Sequence, residues 1–476
     1  MRAAWRVADV RSAENALMAT LPDGTLMQRA AAGLARRCAL LLQERGGVYG
    51  STVVLLVGSG DNGGDALYAG ARLAARGAQV QAILVQPDRV HAAGLSELRR
   101  SGGRTVAQLP SRADLVLDGI VGIGASGGLR PGAAALVKRV AGLGSLVVAV
   151  DVPSGVAVDT GDVPGDAVHA DVTVTFGCLK PAHVVGAAAA LAGHVELVDI
   201  GLGATLHAAP AVRIPDASDI ASWWPRPTAS SDKYTRGVAG VATGSAIYPG
   251  AAVLSVTGAL AGPTGMVRYA GTADREVLRQ HPSVVATKRV SEAGRVQAWV
   301  CGSGLGTSDD ARTELRSVLA TPLPVLLDAD ALTLLVDGQH ARDLRRDAPL
   351  VVTPHDGEFK RLAGEAPGAD RMGSALRLAA WLNAVVLLKG DRTIVATPSG
   401  EVWANPTGSA DLATAGSGDV LAGLLGSLLA AGLPAGKAAV AAAYVHGLAG
   451  LRAGQDGPVT SADVAAALRP VLADLL

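Results

Sequence analysis

The hydrophobic pattern of the chain switches repeatedly between two periods. Residues 52–57, Thr-Val-Val-Leu-Leu-Val, form a continuous apolar run, the signature of a strand buried on both faces. Comparable runs fall at 80–85, 115–118, 146–150, 172–176 and 195–200, and helical stretches separate them. Residues 10–45 read as helices broken at Pro22-Asp23-Gly24. The second half repeats the alternation, with strands predicted at 238–243, 296–300, 324–327, 350–352 and 385–388. A long apolar helix at 420–431 and further Ala-rich helices complete the chain. Strands alternating with helices predict an α/β protein with a doubly wound parallel sheet in each half. The order of elements differs between the halves, so there is no internal repeat. In such sheets ligands bind beyond the carboxyl ends of the strands.

The periodic pattern breaks at Pro210–Ser218 and again at Trp223-Trp224-Pro225-Arg-Pro227. That places a boundary between domains 1–209 and 210–476, two in a chain of 476 residues. Hydrophobic residues make up 49% of the chain, enough for two large cores. A formal net charge of zero argues against nucleic acid or an anionic membrane as partner. The cysteines (Cys38, Cys178, Cys301) have neither metal-ligand nor disulfide spacing, so a cytoplasmic location is expected. Charge appears too early at the N-terminus for a signal peptide. The uncharged run Val420–Gly436 is broken by Gly432-Leu-Pro434, which reads as a buried helix rather than a membrane span.

Candidate chemistry collects at the strand ends. In the first half, Gly58-x-Gly60-x-x-Gly63 formally matches the dinucleotide fingerprint. Asp61 and Asp65 would, however, repel a pyrophosphate. Asp61, Asn62, Asp118 and Ser154 suit ribose hydroxyls or a small hard cation, which takes oxygen ligands. Taken singly, Asp118 and Asp151 read equally as carboxylates capping turns; their shared placement at strand ends favours a site. Lys180, just before Pro181, is either a site lysine or a surface one. Only seven lysines occur in the chain, so a lysine within a motif is informative.

In the second half, Ala415-Gly416-Ser417-Gly418-Asp419 precedes the long apolar helix. Small residues at a helix start let backbone N–H groups converge on an anion. A carboxylate beside such a cradle suits a base that takes the proton of a hydroxyl attacking phosphorus. The plainer alternative is a turn with Asp419 as helix cap. The helix terminus is expected to depress the Asp419 pKa, leaving it ionised and weakly basic. Lys389, Gly390, Asp391, Arg392 and Thr393 would face phosphates from the other side, lysine acting as a point charge. His355, Glu358, Asp328 and Asp330 read singly as turn or cap residues.

Together the first-half motifs, Gly58-Ser-Gly-Asp-Asn-Gly-Gly-Asp65, Asp118 with the 122–128 loop, Asp151-Val-Pro-Ser154-Gly and Phe176-Gly-Cys-Leu-Lys180-Pro, resemble the NAD(P)H-hydrate epimerase family over residues 10–205. The resemblance implies a Rossmann-like three-layer domain. It implies a substrate held by Asp61, Asn62, Gly63, Gly64 and Asp65 and by Gly122, Ile123, Gly124, Ala125, Ser126, Gly127 and Gly128. It further implies a potassium ion at Asn62, Asp118 and Ser154. Asp151 would touch the substrate and transfer the proton, with Lys180 as a second catalytic candidate. The chain departs from that pattern with Asp61 where Asn is frequent and Ala66 where Gly is frequent.

The second-half motifs are Lys233-Tyr-Thr-Arg-Gly237, Gly302-Ser-Gly-Leu-Gly306, Asp328-Ala-Asp-Ala-Leu332, Thr353-Pro-His-Asp-Gly-Glu-Phe359, Leu388-Lys-Gly390 with Thr393, and Ala415–Val420. They resemble the ADP/ATP-dependent NAD(P)H-hydrate dehydratases, of ribokinase-like α/β fold, over 230–450. That resemblance implies Ala251, Gly304, His355 and Asp419 at the hydrate. It implies Lys389–Thr393 and Gly418 at ADP or ATP with Mg2+, ADP being favoured. Asp411 stands where the family has a small residue.

The resemblances imply repair of hydrated nicotinamide coenzymes. The first domain would interconvert the R and S epimers, and the second would dehydrate the S epimer at the expense of nucleotide. Implied partners are NADHX, NADPHX and ADP or ATP, with no nucleic acid and no membrane; a homo-oligomer is left open. Two alternatives remain at this point: a ribokinase-like small-molecule kinase with a regulatory Rossmann-like domain, and a first domain that only binds a protein or RNA.

Overall fold

In a computed structural model of the protein, residues 1–124, 127–337 and 346–476 are described. Ala125 and Ser126 of the expected substrate loop therefore lie outside the described residues. The chain divides into two compact units, Ala3–Val212 and Arg213–Leu476 with Met1–Arg2.

After a short β1 (Arg2–Ala4), the N-terminal unit carries β2 (Thr52–Val57), β3 (Gln79–Leu84), β4 (Arg104–Thr105), β5 (Leu115–Gly119), β6 (Leu146–Val150), β7 (Val172–Phe176) and β8 (His194–Val198). The strand order is β4-β3-β2-β5-β6-β7-β8, parallel at every pair. Both faces of the sheet are covered, which explains the unbroken apolar runs. Val53, Leu55 and Val57 of β2 enter one core with the helix Thr25–Gln43, while Val54 and Leu56 enter another beneath the helix Pro131–Ala141. Side chains that alternate across a strand require two apolar layers here. The chain winds one way from β2 to β4 and the other way from β5 onward. The crevice between the carboxyl ends of β2 and β5 is thus the switch point where such sheets bind ligands.

The C-terminal unit contains β9 (Val212–Ile214), β10 (Val238–Ala242), β11 (Met266–Ala270), β12 (Val285–Thr287), β13 (Ala298–Cys301), β14 (Val325–Leu327), β15 (Leu350–Val352), β16 (Val385–Leu388), β17 (Ile394–Ala396) and β18 (Val402–Ala404). The order from β9 is β9-β18-β17-β16-β15-β14-β13-β10-β11-β12. The stretch from β16 to β12 is parallel, and β16-β17-β18 is an antiparallel meander. Its switch point lies between β10 and β13.

Several elements escape the sequence pattern. β17 and β18 are three residues each, too short to show a period. β11 carries Arg268 within Met-Val-Arg-Tyr-Ala. β9 and the helix Ala217–Trp223 sit inside the stretch that reads as an interruption, because Pro and polar residues flank them.

The helix Ser417–Ala430 is seated by contact between backbones. A Cβ on Gly423 would stand 1.9 Å from the Ser255 carbonyl oxygen, and one on Gly258 2.2 Å from that of Val420. Only glycine permits the helices Pro249–Ala261 and Ser417–Ala430 to lie so close. That contact fixes where the Gly416–Asp419 turn points.

Candidate active sites

The first site forms at the β2/β5 switch point. β2 ends at Val57 and the helix Asp61–Ala74 begins four residues later. A Cβ on Gly58 would lie 1.8 Å from the Ile120 carbonyl oxygen, and one on Gly122 2.1 Å from Asn62 Oδ1. These glycines therefore serve the close approach of the Gly58–Asp65 and 119–124 loops. Asn62 Nδ2 donates to the Val150 carbonyl at 2.5 Å, which ties the first loop to the end of β6.

Asp118, on β5, is fully buried. Its Oδ1 accepts from Ser154 Oγ at 2.7 Å and its Oδ2 from Ser154 N at 2.8 Å. Ile120 N donates to Oδ1 at 3.3 Å. Burial pushes the carboxyl up to about 6 against these bonds from Ser154 and Ile120. No ion pair to Asp118 is found among the described residues. Asn62, Asp118 and Ser154 thus come together through Val150 and the 119–121 turn.

Asp151, just past β6, has a left-handed backbone (φ 66°), a conformation that costs a non-glycine residue on the order of 1 kcal/mol and clusters at functional sites. Its Oδ1 accepts from Lys180 Nζ at 2.6 Å and from Thr175 Oγ1 at 2.8 Å. Lys180 is 1% exposed, so the surface reading of this lysine is wrong. Its Nζ also donates to Thr175 Oγ1 (2.9 Å) and to the Phe176 carbonyl (3.0 Å). Burial favours a neutral Asp151, but the Lys180 charge and hydrogen bond, with Thr175, overcome it and hold the carboxyl below its ordinary value.

Asp65 behaves oppositely. It is buried, its Oδ1 has no hydrogen-bond partner, and burial with the charges of Asp151, Asp61 and Glu14 raises its pKa well above normal. Glu14 is raised by burial too, with Lys180 opposing. Beside this cluster lies a cavity of about 330 Å³, bordered by Glu14, Asp61, Leu26, Met27, Phe176 and Ile200 among others.

The second site forms at the β10/β13 switch point. Gly304 (φ 64°) lies against Ala251, whose Cβ would be 2.7 Å from a Cβ on the glycine. Asp328, after β14, is 2% exposed. Its Oδ1 accepts from Lys389 Nζ (2.7 Å) and Thr353 Oγ1 (2.8 Å), and its Oδ2 from Ser303 Oγ (3.0 Å). Lys389 Nζ also stands 3.6 Å from Glu358 Oε2. A Cβ on Gly418 would be 3.6 Å from the same Nζ. Burial alone would lower the Lys389 pKa, yet Asp328 and Glu358 raise it. Lys389 thus sits among carboxylates, already paired, rather than as a free cation waiting for phosphate.

Asp419 corrects an expectation. Its pKa is pushed up to about 7, first by burial and then by the charge of Asp328, against a hydrogen bond from Ser303 and the charge of Lys389. The helix terminus does not dominate, because the carboxyl is partly withdrawn from water beside a second carboxylate. The amide fan is also narrower than expected. Ser417 N–H donates to Thr414 O (3.3 Å) and Asp419 N–H to Gly416 O (3.1 Å), so the turn itself occupies two of its amides.

His355 caps the helix Asp356–Ala363. Its Nδ1 accepts from Gly357 N (3.0 Å), while Glu358 Oε2 accepts from His355 N (2.8 Å). Its Nε2 lies 3.4 Å from Glu358 Oε1, which connects it to Lys389 and Asp328. The Lys389–Thr393 loop is held by Arg371, which donates to the Lys389 carbonyl (3.1 Å) and grips Asp356 in a bidentate pair (2.8 and 2.9 Å). Asp411 has a structural role: its carboxylate accepts from Ser409 Oγ (2.7 Å) in the turn Ala410–Leu412 and lies against Gly454. A further cavity of about 650 Å³, lined by Phe359, Leu362, Leu378 and Trp381, touches none of the candidate residues.

Sequence reasoning missed Thr175, His183, Ser303, Arg371 and His446. Thr175 had a signal, a polar residue on a strand buried on both faces. The others depend on contacts between distant segments. The buried His446, for example, bonds the Ser417 carbonyl at 2.9 Å, and burial lowers its pKa to about 4.

Fold and sites define an α/β protein with two separate carboxylate-centred sites, the second on a ribokinase-like scaffold. Residues 239–469 match the NAD(P)H-hydrate dehydratase family, and residues 23–182 the family described as YjeF-related protein N-terminus. The chain belongs to the bifunctional NAD(P)H-hydrate repair enzymes. It is 50% identical over 467 residues to the Mycobacterium leprae protein of that name, covering 96% of each chain. It is 52% identical over 442 residues to the Mycobacterium tuberculosis protein, covering 92% of this chain and 91% of that one. Among solved structures, it is similar to the ADP/ATP-dependent NAD(P)H-hydrate dehydratase from Bacillus subtilis, co-crystallised with ATP/Mg2+. There the TM-score is 0.51 and the identity 27%, over 56% of this chain and 99% of that chain. Among the described residues, no helix is long and apolar enough to cross a membrane.

Proposed function

We propose that this protein restores hydrated nicotinamide coenzymes, epimerising (6R)- to (6S)-NAD(P)HX in the N-terminal unit and dehydrating the S epimer in the C-terminal one. The observation that carries this reading is the match to the bifunctional repair enzymes along nearly the whole length of both chains. Carboxylates at both switch points support it.

In the first step carbon 6 bears a hydroxyl next to the ring nitrogen. The nitrogen lone pair can expel that oxygen as water once it receives a proton. Water then adds from the opposite face and gives a proton back. The Lys180 ammonium gives the proton on which the hydroxyl leaves as water, Asp151, kept ionised beside it, takes the proton of the water that adds, and transfer across their 2.6 Å contact restores both. Asp65, whose buried Oδ1 has no partner among the described residues and whose pKa burial raises well above its ordinary value, hydrogen-bonds the substrate. The Asp61–Asp65 and Gly122–Gly128 loops hold the dinucleotide.

The residues fit a potassium ion: Asp118 is a buried carboxyl with hydrogen-bond donors but no cation found among the described residues. Asn62, Asp118 and Ser154 would hold the ion, which would offset that charge and fix the two loops.

In the second step the S hydroxyl attacks the terminal phosphorus of ADP or ATP while Asp419 takes its proton. A pKa near 7 suits a base at neutral pH. Phosphate then leaves carbon 6, carbon 5 loses a proton, and the ring double bond returns. Ala251, Gly304 and His355 bind the hydrate. Gly390–Thr393 and Gly418 bind the nucleotide, with Lys389 linking its phosphates to Asp328. Mg2+ would arrive with the nucleotide and would offset the negative charge of its phosphates.

The test supplies an epimer mixture with ADP or ATP to the full chain and follows reduced-nicotinamide absorbance. Complete conversion with stoichiometric nucleotide use is expected. A stable phosphorylated product would instead indicate an ordinary small-molecule kinase.

A further inference from the structure

We propose that His183 is the positioning residue of the N-terminal site, its one ring fixing the main chain of both Asp151 and Lys180. The assignment rests on the epimerase reading above.

Lys180 N–H donates to His183 Nδ1 at 3.1 Å, and His183 Nε2 lies 2.8 Å from the Asp151 carbonyl oxygen. The first bond makes Nδ1 an acceptor, so Nε2 carries the proton and donates to Asp151; the tautomer follows from the network. The ring is 5% exposed, in the short turn Pro181–His183 that folds it back over Lys180. Burial, reinforced by the Lys180 charge, lowers its pKa to about 4, with Asp151 opposing. The neutral, two-handed form therefore persists across physiological pH.

The hold matters because Asp151 sits in a left-handed conformation that relaxation would abandon. Its carboxylate meets Lys180 Nζ at 2.6 Å only while both backbones stay in place. His183 is separated by 32 residues from one and by three from the other. It thus joins the ends of β6 and β7 through hydrogen bonds alone, without touching the reacting atoms.

The experiment compares three full-length variants. His183→Leu removes both bonds. His183→Asn keeps an acceptor where Nδ1 stood, and His183→Gln keeps a donor near Nε2. Each is assayed on (6R)-hydrate with nucleotide, on (6S)-hydrate as an internal measure of folded chain, and by hydrogen exchange at the Lys180 amide.

The expected result for His183→Leu is a kcat on the R epimer lower by about tenfold or more, since small misplacements of reacting groups are costly. KM should be little changed, S-epimer dehydration intact, and Lys180 amide protection lost. His183→Gln should recover most of kcat. His183→Asn should recover amide protection without kcat. A His183→Leu chain that epimerises within about twofold of the parent, or equal kcat losses in the Asn and Gln variants, would overturn the assignment. Should His183→Leu not fold, the Asn–Gln contrast decides. A parent chain inactive on the R epimer would count against the epimerase reading itself, an outcome separate from any ranking of the variants.

Discussion

Lys389 Nζ donates to Asp328 Oδ1 at 2.7 Å across the floor of the C-terminal site, and Asp328 in turn raises the pKa of Asp419. One lysine thereby balances a group of carboxylates that would otherwise repel one another. Lys389→Met should strand a buried charge and destabilise the chain by about 3 kcal/mol, read by urea denaturation. It should also push the acid limb of the dehydration profile to higher pH.

The Asp419 shift has a pH signature. With a pKa of about 7, the dehydration rate should fall as pH drops below about 7, tracking loss of the ionised base. The stability effect runs the other way. The folded-state pKa is raised, so the native chain binds a proton that the unfolded chain releases near its ordinary value of 3.8. Asp419 therefore costs no stability below that value and progressively more as pH rises through about 7. Asp419→Asn should be more stable than the parent by about 1–2 kcal/mol at pH 8, with the gain fading toward pH 4. Thermal denaturation across pH checks this.

Asp151 and Lys180 make a separable prediction. Asp151→Asn should slow consumption of the R epimer by about a hundredfold or more while S-epimer dehydration continues. An epimer mixture would then stop at the fraction initially S. Assaying the two epimers separately measures this.

Potassium should raise both the melting temperature and the R-epimer rate relative to sodium. Asp118→Asn removes the buried charge a cation would offset, so both effects should shrink in that variant. Differential scanning in the two salts gives the comparison.

The glycine contact under the second site is testable without substrate. Gly423→Ala places a methyl where the Ser255 carbonyl oxygen lies 1.9 Å away, forcing two helices apart. Overpacking of this kind costs about 1–3 kcal/mol. Dehydration should fall as well, because the same helix carries Asp419 at its start.

The parallel strands and the loops at their carboxyl ends were legible because burial on both faces leaves uninterrupted apolar runs. Asp118 and Asp151 stood out for the same reason, as charges ending such runs. β17 and β18 were not legible, since three residues carry no period. The rise in the Asp419 pKa is not legible because it comes first from burial and then from Asp328, ninety-one positions earlier in the chain. Sequence distance hides such a neighbour, whereas the helix terminus beside Asp419 is plain to see. His183 and His446 escaped notice because an isolated histidine gives no clue to which carbonyl it will meet.

The most direct test is the rate at which Asp419→Asn regenerates NAD(P)H from purified (6S)-hydrate with ADP or ATP. Asparagine keeps the shape and cannot accept the proton, so a loss of about a hundredfold or more is predicted. Regeneration at the parent rate would contradict the account.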